Sequence, residues 1–298
     1  MKYVKRSLKS TLALSLVILS HSVFASTVPD LVLTSIKNAS KSLNGARVGV
    51  SFYDMNSGEG YQFNGQQRFP MASTFKVLAC ATALKKGVMS QKEPILKSDL
   101  EEYSPITKKH INEIMTIEQL CDATMSWSDN TAANLILKSV GGPKGVTEFL
   151  RDAGDKTTNL SRWEPELNQA TPGDDRDTTT PIAMNRTLRE LLFGGVLSPD
   201  QQSQLFAWMK GDKVANDLLR SVLPKGWQIG DKTGYGGHGS RGIVASLVPP
   251  SGQPLVITIY LTENKASLAE LNKAIAQIGD AMIQDFERNH HTADKQSS

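Results

Sequence analysis

Long apolar runs, histidine, cysteine and net charge are all scarce in this 298-residue chain, and each scarcity removes a class of function. No uninterrupted apolar stretch of about 18 residues occurs, so no membrane-spanning helix is expected. Histidine appears five times and never at a spacing with cysteine or acids that suits zinc, so no metal and no other cofactor is expected. The paired His290 and His291 fall in the polar segment "NHHTADKQSS", read as a tail without structure from residue 291 to 298. Cysteine appears only at Cys80 and Cys121, which allows one bridge at most. No internal repeat is visible.

The formal charge of +3 is itself misleading. Lys2, Lys5, Arg6 and Lys9 form a basic stretch followed by the short apolar "LALSLVILS" and by small residues at Val23 and Ala25. This pattern marks residues 1–25 as a secretion leader cleaved before Ser26. Those residues carry four cations and no acid, so the remainder stands at −1. A nearly neutral chain has no global field to attract nucleic acid or an anionic membrane. The expected product is an exported protein with neither partner.

About 270 residues then remain, enough for two modest domains. "PDLVLTSIKNASKSLNG" has helical apolar spacing, and "ARVGVSFYDMNSGEGYQFNG" reads as two strands turning near Asn56–Gly58. From Ser73 the pattern is mainly helical. "STFKVLACATALKKG" is apolar on most sides, as a buried helix is. "TIEQLCDATMSW" opens with Thr116 and Gln119 at capping-box spacing, and "PIAMNRTLRELLFGG" begins with Pro181 at a first helical position. Beyond about residue 225, "GWQIGDKTG", "RGIVASLVPP" and "PLVITIYLTE" revert to strands, and a long amphipathic helix follows. The expectation is an α/β domain made of 26–66 and 213–290, interrupted by an all-α domain at 67–212.

Three short motifs lie in this frame. Ser73 and Lys76 are three residues apart on one expected helical face near a positive helix end. A lysine held there out of water can act as a base toward a serine hydroxyl. Alone, the pair reads as a helix cap and a surface lysine. Ser128–Asp129–Asn130 breaks two helices and alone reads as a capping turn. Lys232–Thr233–Gly234 lies on an expected edge strand, where free backbone donors suit an extended amide and the lysine suits its carboxylate. Ser-x-x-Lys, Ser-Asp-Asn and Lys-Thr-Gly in this order are the set found in serine β-lactamases and penicillin-binding proteins. Cys80 lies seven residues after Ser73 and Cys121 seven before Ser128, so a bridge between them would tie two motif-bearing helices. Its loop of about 40 residues corresponds to roughly 4 kcal/mol in the chain-entropy picture. The alternative is two separate buried thiols.

With "RWEPELN", "SDNTAANLIL", "RDTTTP" and the glycine-rich stretch that follows Lys232, the chain resembles the class A serine β-lactamases from about residue 28 to 288. The resemblance implies an all-α domain packed on an α/β domain with a five-stranded antiparallel sheet, acting as a periplasmic monomer on small-molecule β-lactams. It implies Ser73 as nucleophile, the backbone N–H groups of Ser73 and Tyr235 as oxyanion donors, and Lys76 and Ser128 as proton carriers. Asn130 would hold the substrate amide, and Lys232, Thr233, Gly234 and Arg241 would line the carboxylate subsite. Glu164 would activate the hydrolytic water, with Asn168 four residues on and on the same side. Glu166, two residues away, should face elsewhere. Pro165 is expected to start a short helical turn, and Arg162 and Asp177 to close the neck of an Ω-loop.

Tyr235 departs from the family, which carries a small residue there. Ala72 and Gly236 stand where some carbapenem-hydrolysing relatives have a cysteine pair. The rival readings are a penicillin-binding DD-peptidase, which lacks the Glu164 loop, and a β-lactam sensor, which acylates and stops.

Overall fold

The computed structural model describes residues 27–250 and 252–296; the expected leader, residues 1–25, lies outside them. Helix α1, Asp30–Ser42, buries Val32, Ile36 and Ala39 along one stripe. Strands β1, Arg47–Asp54, and β2, Gly60–Phe63, form the expected hairpin. The Asp54 carboxylate builds its turn, accepting from the Asn56 N–H and the Ser57 hydroxyl, both at 2.8 Å. After the short β3, Phe69–Pro70, helix α2, Phe75–Lys86, is buried along nearly its whole length. This explains why its sequence shows no polar face.

A small ribbon, β4 Lys92–Pro94 with β5 Ile114–Thr116, interrupts the expected run of helices. Helix α3, Ile117–Trp127, begins with the capping box anticipated at Thr116 and Gln119. Helix α4, Asn130–Val140, and α5, Gly142–Asp152, follow. Strand β6, Thr178–Thr179, pairs with β3, and α6, Pro181–Leu192, starts at proline as expected. Helix α7, Pro199–Lys210, also starts with a proline and has a Ser198–Gln201 capping box, a signal the sequence reading overlooked.

Strands β7, Gln228–Gly236, β8, Ser240–Val248, and β9, Leu255–Thr262, complete an antiparallel sheet in the order β2-β1-β9-β8-β7. The five-stranded sheet and the helical layer agree with the expected fold class. On β8, Ile243, Ala245 and Leu247 join one core with α1 and the last helix, while Val244 joins the other with α2 to α7. Two covered faces make the strand a continuous apolar run rather than an alternating one. From α6, Asn185 Nδ2 reaches the carbonyls of Val256 at 2.8 Å and Ser51 at 3.3 Å, pinning the helical layer to β9 and β1.

Helix α8, Leu268–Gln296, runs past residue 291, where the sequence reading ended order. No glycine or proline follows Gly279, so nothing local stops it. Cys80 of α2 and Cys121 of α3 are both buried and carry no bond between them in this structure. They nevertheless meet: burial first, and then contact with Cys80, pushes the Cys121 thiol well up. Facing positions on two packed helices bring the sulfurs together without requiring a bond. Among the described residues, no helix is long and apolar enough to cross a membrane.

Candidate active site

Ser73 lies not in α2 but in the single 3-10 turn Ala72–Thr74 ahead of it, behind Ala72 at φ 42°. A side chain at positive φ is strained, so the turn is held by its surroundings rather than by local preference. Edge strand β7 supplies part of that hold. A Cβ on Gly234 would lie 2.6 Å from the Met71 carbonyl oxygen and 3.1 Å from the Ser73 nitrogen. Only glycine lets the strand approach the serine backbone this closely.

Lys76, one residue into α2, is fully buried and points at the break between α3 and α4. Its ammonium donates to Ser128 O at 2.8 Å, Ser128 Oγ at 3.2 Å and Asn130 Oδ1 at 2.7 Å. Burial lowers its pKa, opposed first by the charge of Glu164 and then by Asp129 and Cys80. The break is rigid: Ser128 adopts a left-handed φ of 59°, and buried Asp129 caps α4 through the Ala132 N–H. The other Asp129 oxygen accepts from the backbone of Ile106 and Thr107, fastening the preceding loop.

Glu164 is 2 % exposed and comes from the opposite side. Its Oε1 lies 3.1 Å from the Lys76 ammonium, an ionic contact without hydrogen-bond alignment, and its Oε2 accepts from Asn168 Nδ2. The Glu164–Pro165 peptide is cis, and the 3-10 turn begins one residue beyond Pro165, at Glu166–Asn168. Glu166 is exposed, facing away. The Glu164 backbone is clamped at both ends by one side chain. Asn134 Oδ1 accepts its N–H at 3.0 Å, and Asn134 Nδ2 donates to its carbonyl at 2.9 Å. Sequence reasoning missed Asn134, although it stands four residues after Asn130 on the same face of α4.

The loop's neck is closed by Arg162 and buried Asp177, whose Nε and Oδ2 are 2.6 Å apart. Asp177 Oδ1 also accepts the N–H groups of Ser161 and Arg162, and its carbonyl accepts the Met71 N–H at 3.0 Å. At its far end the loop leans on the β7–β8 turn, where the Gly237 N–H donates to Asn168 O at 2.8 Å.

The sheet wall carries the remaining residues. Lys232 is fully buried in β7, unlike an ordinary edge lysine; its Nζ is 3.4 Å from Thr233 O and 3.7 Å from Asp212 Oδ2. Burial lowers its pKa to about 8, against the opposing charge of Asp212. Thr233 is buried beside it. On β8, Arg241 stands directly across from Tyr235 and donates to Asn272 Oδ1 at 2.8 Å and Gly234 O at 3.1 Å. Burial brings its pKa down to about 10, opposed by Asp212 and then by Tyr235. Tyr235 itself is 54 % exposed. Asp212 and Asn272 were not anticipated, because no short motif contains them.

The structure therefore joins Lys76, Ser128, Asn130, Glu164 and Asn168 in one network and aligns Lys232, Thr233, Gly234 and Arg241 along the facing strands. Residues 32–286 match the model of the β-lactamase enzyme family. Over 281 residues, 93 % of this chain and 97 % of the relative, the sequence is 47 % identical to β-lactamase CARB-3 of Pseudomonas aeruginosa. It is 49 % identical over 240 residues to β-lactamase AER-1 of Aeromonas hydrophila, covering 78 % of this chain and 79 % of that one. Among solved structures, the reconstructed last common ancestor of Gram-negative class A β-lactamases superposes with TM-score 0.84 at 42 % identity, covering 87 % of this chain and all of that one. The chromosome-encoded β-lactamase of Vibrio parahaemolyticus gives 0.83 at 43 % identity, covering 86 % and 98 %. By sequence and by fold, the chain belongs to the class A serine β-lactamases.

Proposed function

We propose that this β-lactamase opens the ring of penicillins and cephalosporins, conferring resistance, through an ester on Ser73. Ser73 Oγ attacks the lactam carbonyl carbon while its proton is taken by the neutral amine form of Lys76, which burial favours. The developing oxyanion lies between the backbone N–H groups of Ser73 and Tyr235. The C–N bond breaks as Ser128 hands a proton to the departing nitrogen, and Lys76, at hydrogen-bond distance from the Ser128 hydroxyl, restores that proton. Asn130 holds the substrate amide. Lys232, Thr233 and Arg241 take the carboxylate, for which a guanidinium offers paired donors. Glu164 then removes a proton from a water held with Asn168, the water attacks the ester carbon, and Ser73 leaves as Glu164 returns that proton to its oxygen.

The observation that carries the hydrolytic reading is Glu164: buried, held by Asn134 and Asn168, and facing Lys76 with its Oε1 free of a hydrogen bond among the described residues. A protein that only captures β-lactams has no use for this group. The test is the lifetime of the benzylpenicillin ester, followed by mass spectrometry of the intact protein. Rapid loss of the adduct with release of penicilloate is expected; an adduct on wild type that persists for many minutes overturns the reading.

The same reading includes export to the periplasm as a monomer and oxidation of the touching Cys80 and Cys121 there. Intact mass of secreted protein, two hydrogens below the thiol form, checks the bridge. The domain division at 66/67 and 212/213 is supported by the two cores, since Tyr61 and Leu218 belong to one and Phe69 and Met209 to the other.

A further inference from the structure

We infer that Asp212, which belongs to none of the motifs, is a positioning residue that fixes the Lys232 ammonium for the substrate carboxylate. The inference rests on reading Lys232 as the carboxylate anchor. Asp212 follows Gly211, the C-cap of α7, and its segment is fastened to α3 where Lys213 N–H donates to Ser126 O at 2.8 Å. It therefore stands behind the Ser128 turn and opposite β7. Its Oδ1 accepts the Val214 N–H at 2.8 Å. Its Oδ2 is fully buried, has no hydrogen-bond partner among the described residues, and lies 3.7 Å from Lys232 Nζ.

Lys232 needs such a partner. Its ammonium is fully buried and among the described residues makes a single long bond, to Thr233 O. A buried cation requires a counter-charge. Four charged groups act on it: Asp212, Lys76 from α2, Asp231 from its own strand and Arg241 from β8. Lys76 and Arg241 repel it. Asp231 is the neighbour in sequence but is committed elsewhere, since Arg220 binds it through both Nε and Nη2, the shorter contact at 2.6 Å. Adjacent strand residues also point to opposite faces. The stabilising charge in contact with the ammonium is thus Asp212.

Two consequences follow. Asp212 keeps Lys232 protonated against burial and two like charges, and it orients the ammonium while leaving donors for an incoming anion. It touches no reacting atom, so its effect passes through substrate capture rather than ester hydrolysis.

The test compares full-length mature wild type with Asp212→Asn, Asp212→Glu and Lys232→Ala, measuring kcat and KM for benzylpenicillin from neutral to alkaline pH. For Asp212→Asn, the alkaline limb of kcat/KM should move down by about one pH unit or more, the scale of losing one close opposite charge. The loss should appear in KM, and Asp212→Glu should restore most of it. A loss equal at every pH, as a merely structural role would produce, overturns the inference. So does an unmoved limb while Lys232→Ala raises KM. If Lys232→Ala leaves KM unchanged, the anchor reading itself fails, and the inference with it.

Discussion

The two walls of the site each bury a lysine completely, and they treat it in opposite ways. On the helical wall, Lys76 has three oxygen acceptors within 3.2 Å and a carboxylate at 3.1 Å. On the sheet wall, Lys232 has, among the described residues, one acceptor at 3.4 Å and one carboxylate at 3.7 Å. An ammonium has three donors. Those of Lys76 are used up, so it can exchange protons with fixed neighbours but cannot bind an added anion. Among the described residues, those of Lys232 have one protein acceptor, at 3.4 Å, which suits it to receive a ligand. Burial alone does not assign a role; the number of satisfied donors does.

If this division of labour holds, substitutions on the helical wall should act on kcat and those on the sheet wall on KM. The largest effect is expected at Glu164. Glu164→Ala should form the benzylpenicillin ester and hydrolyse it slower by about 10³-fold, within the range for loss of a general base. Glu166→Ala, two residues away and exposed, should turn over close to wild type; ester accumulation there would move the base to the wrong glutamate. On the sheet wall, Arg241→Ala should raise KM for carboxylate-bearing penicillins about tenfold, equivalent to roughly 1.4 kcal/mol, with kcat little changed. A fall in kcat with constant KM would erase the distinction between the walls. The smallest effect concerns pH. The Lys232 pKa is lowered to about 8, so its charged form is present below that value and lost as pH rises through it. At about pH 8, kcat/KM should thus fall to roughly half its plateau, while single-turnover hydrolysis of the preformed ester shows no matching step.

Local signals survived well in the linear sequence. The capping box at Thr116, the start of α6 at Pro181 and the alternation of strands and glycines near the C-terminus are each written within a few residues. The motif serines and lysines were legible because their order along the chain is itself informative. What escaped is tertiary. The Asn134 clamp joins residues 30 positions apart, and Asn185 reaches carbonyls 134 and 71 positions away. The strained Ala72 turn is held in part by the close approach of β7 at Gly234, so no preference of "MAST" announces it. Asp212 carries no pattern because its partner is set by how α7 ends against the sheet. The 3-10 turn at Ser73 replaced the expected first turn of an α-helix for the same reason.

The Ω-loop neck has one further consequence. Asp177 accepts two N–H groups of the loop through its side chain and the Met71 N–H through its backbone, and Pro70 pairs with Thr178 beside it. The hinge of the loop and the strand leading to Ser73 are thus sewn by one residue. Such segments open together rather than separately. Amide exchange at Met71 should therefore track exchange at Ser161 and Arg162. An excursion that swings Glu164 away would also release the chain that presents the nucleophile, so the protein passes from competent to wholly inert without lingering as a half-armed trap.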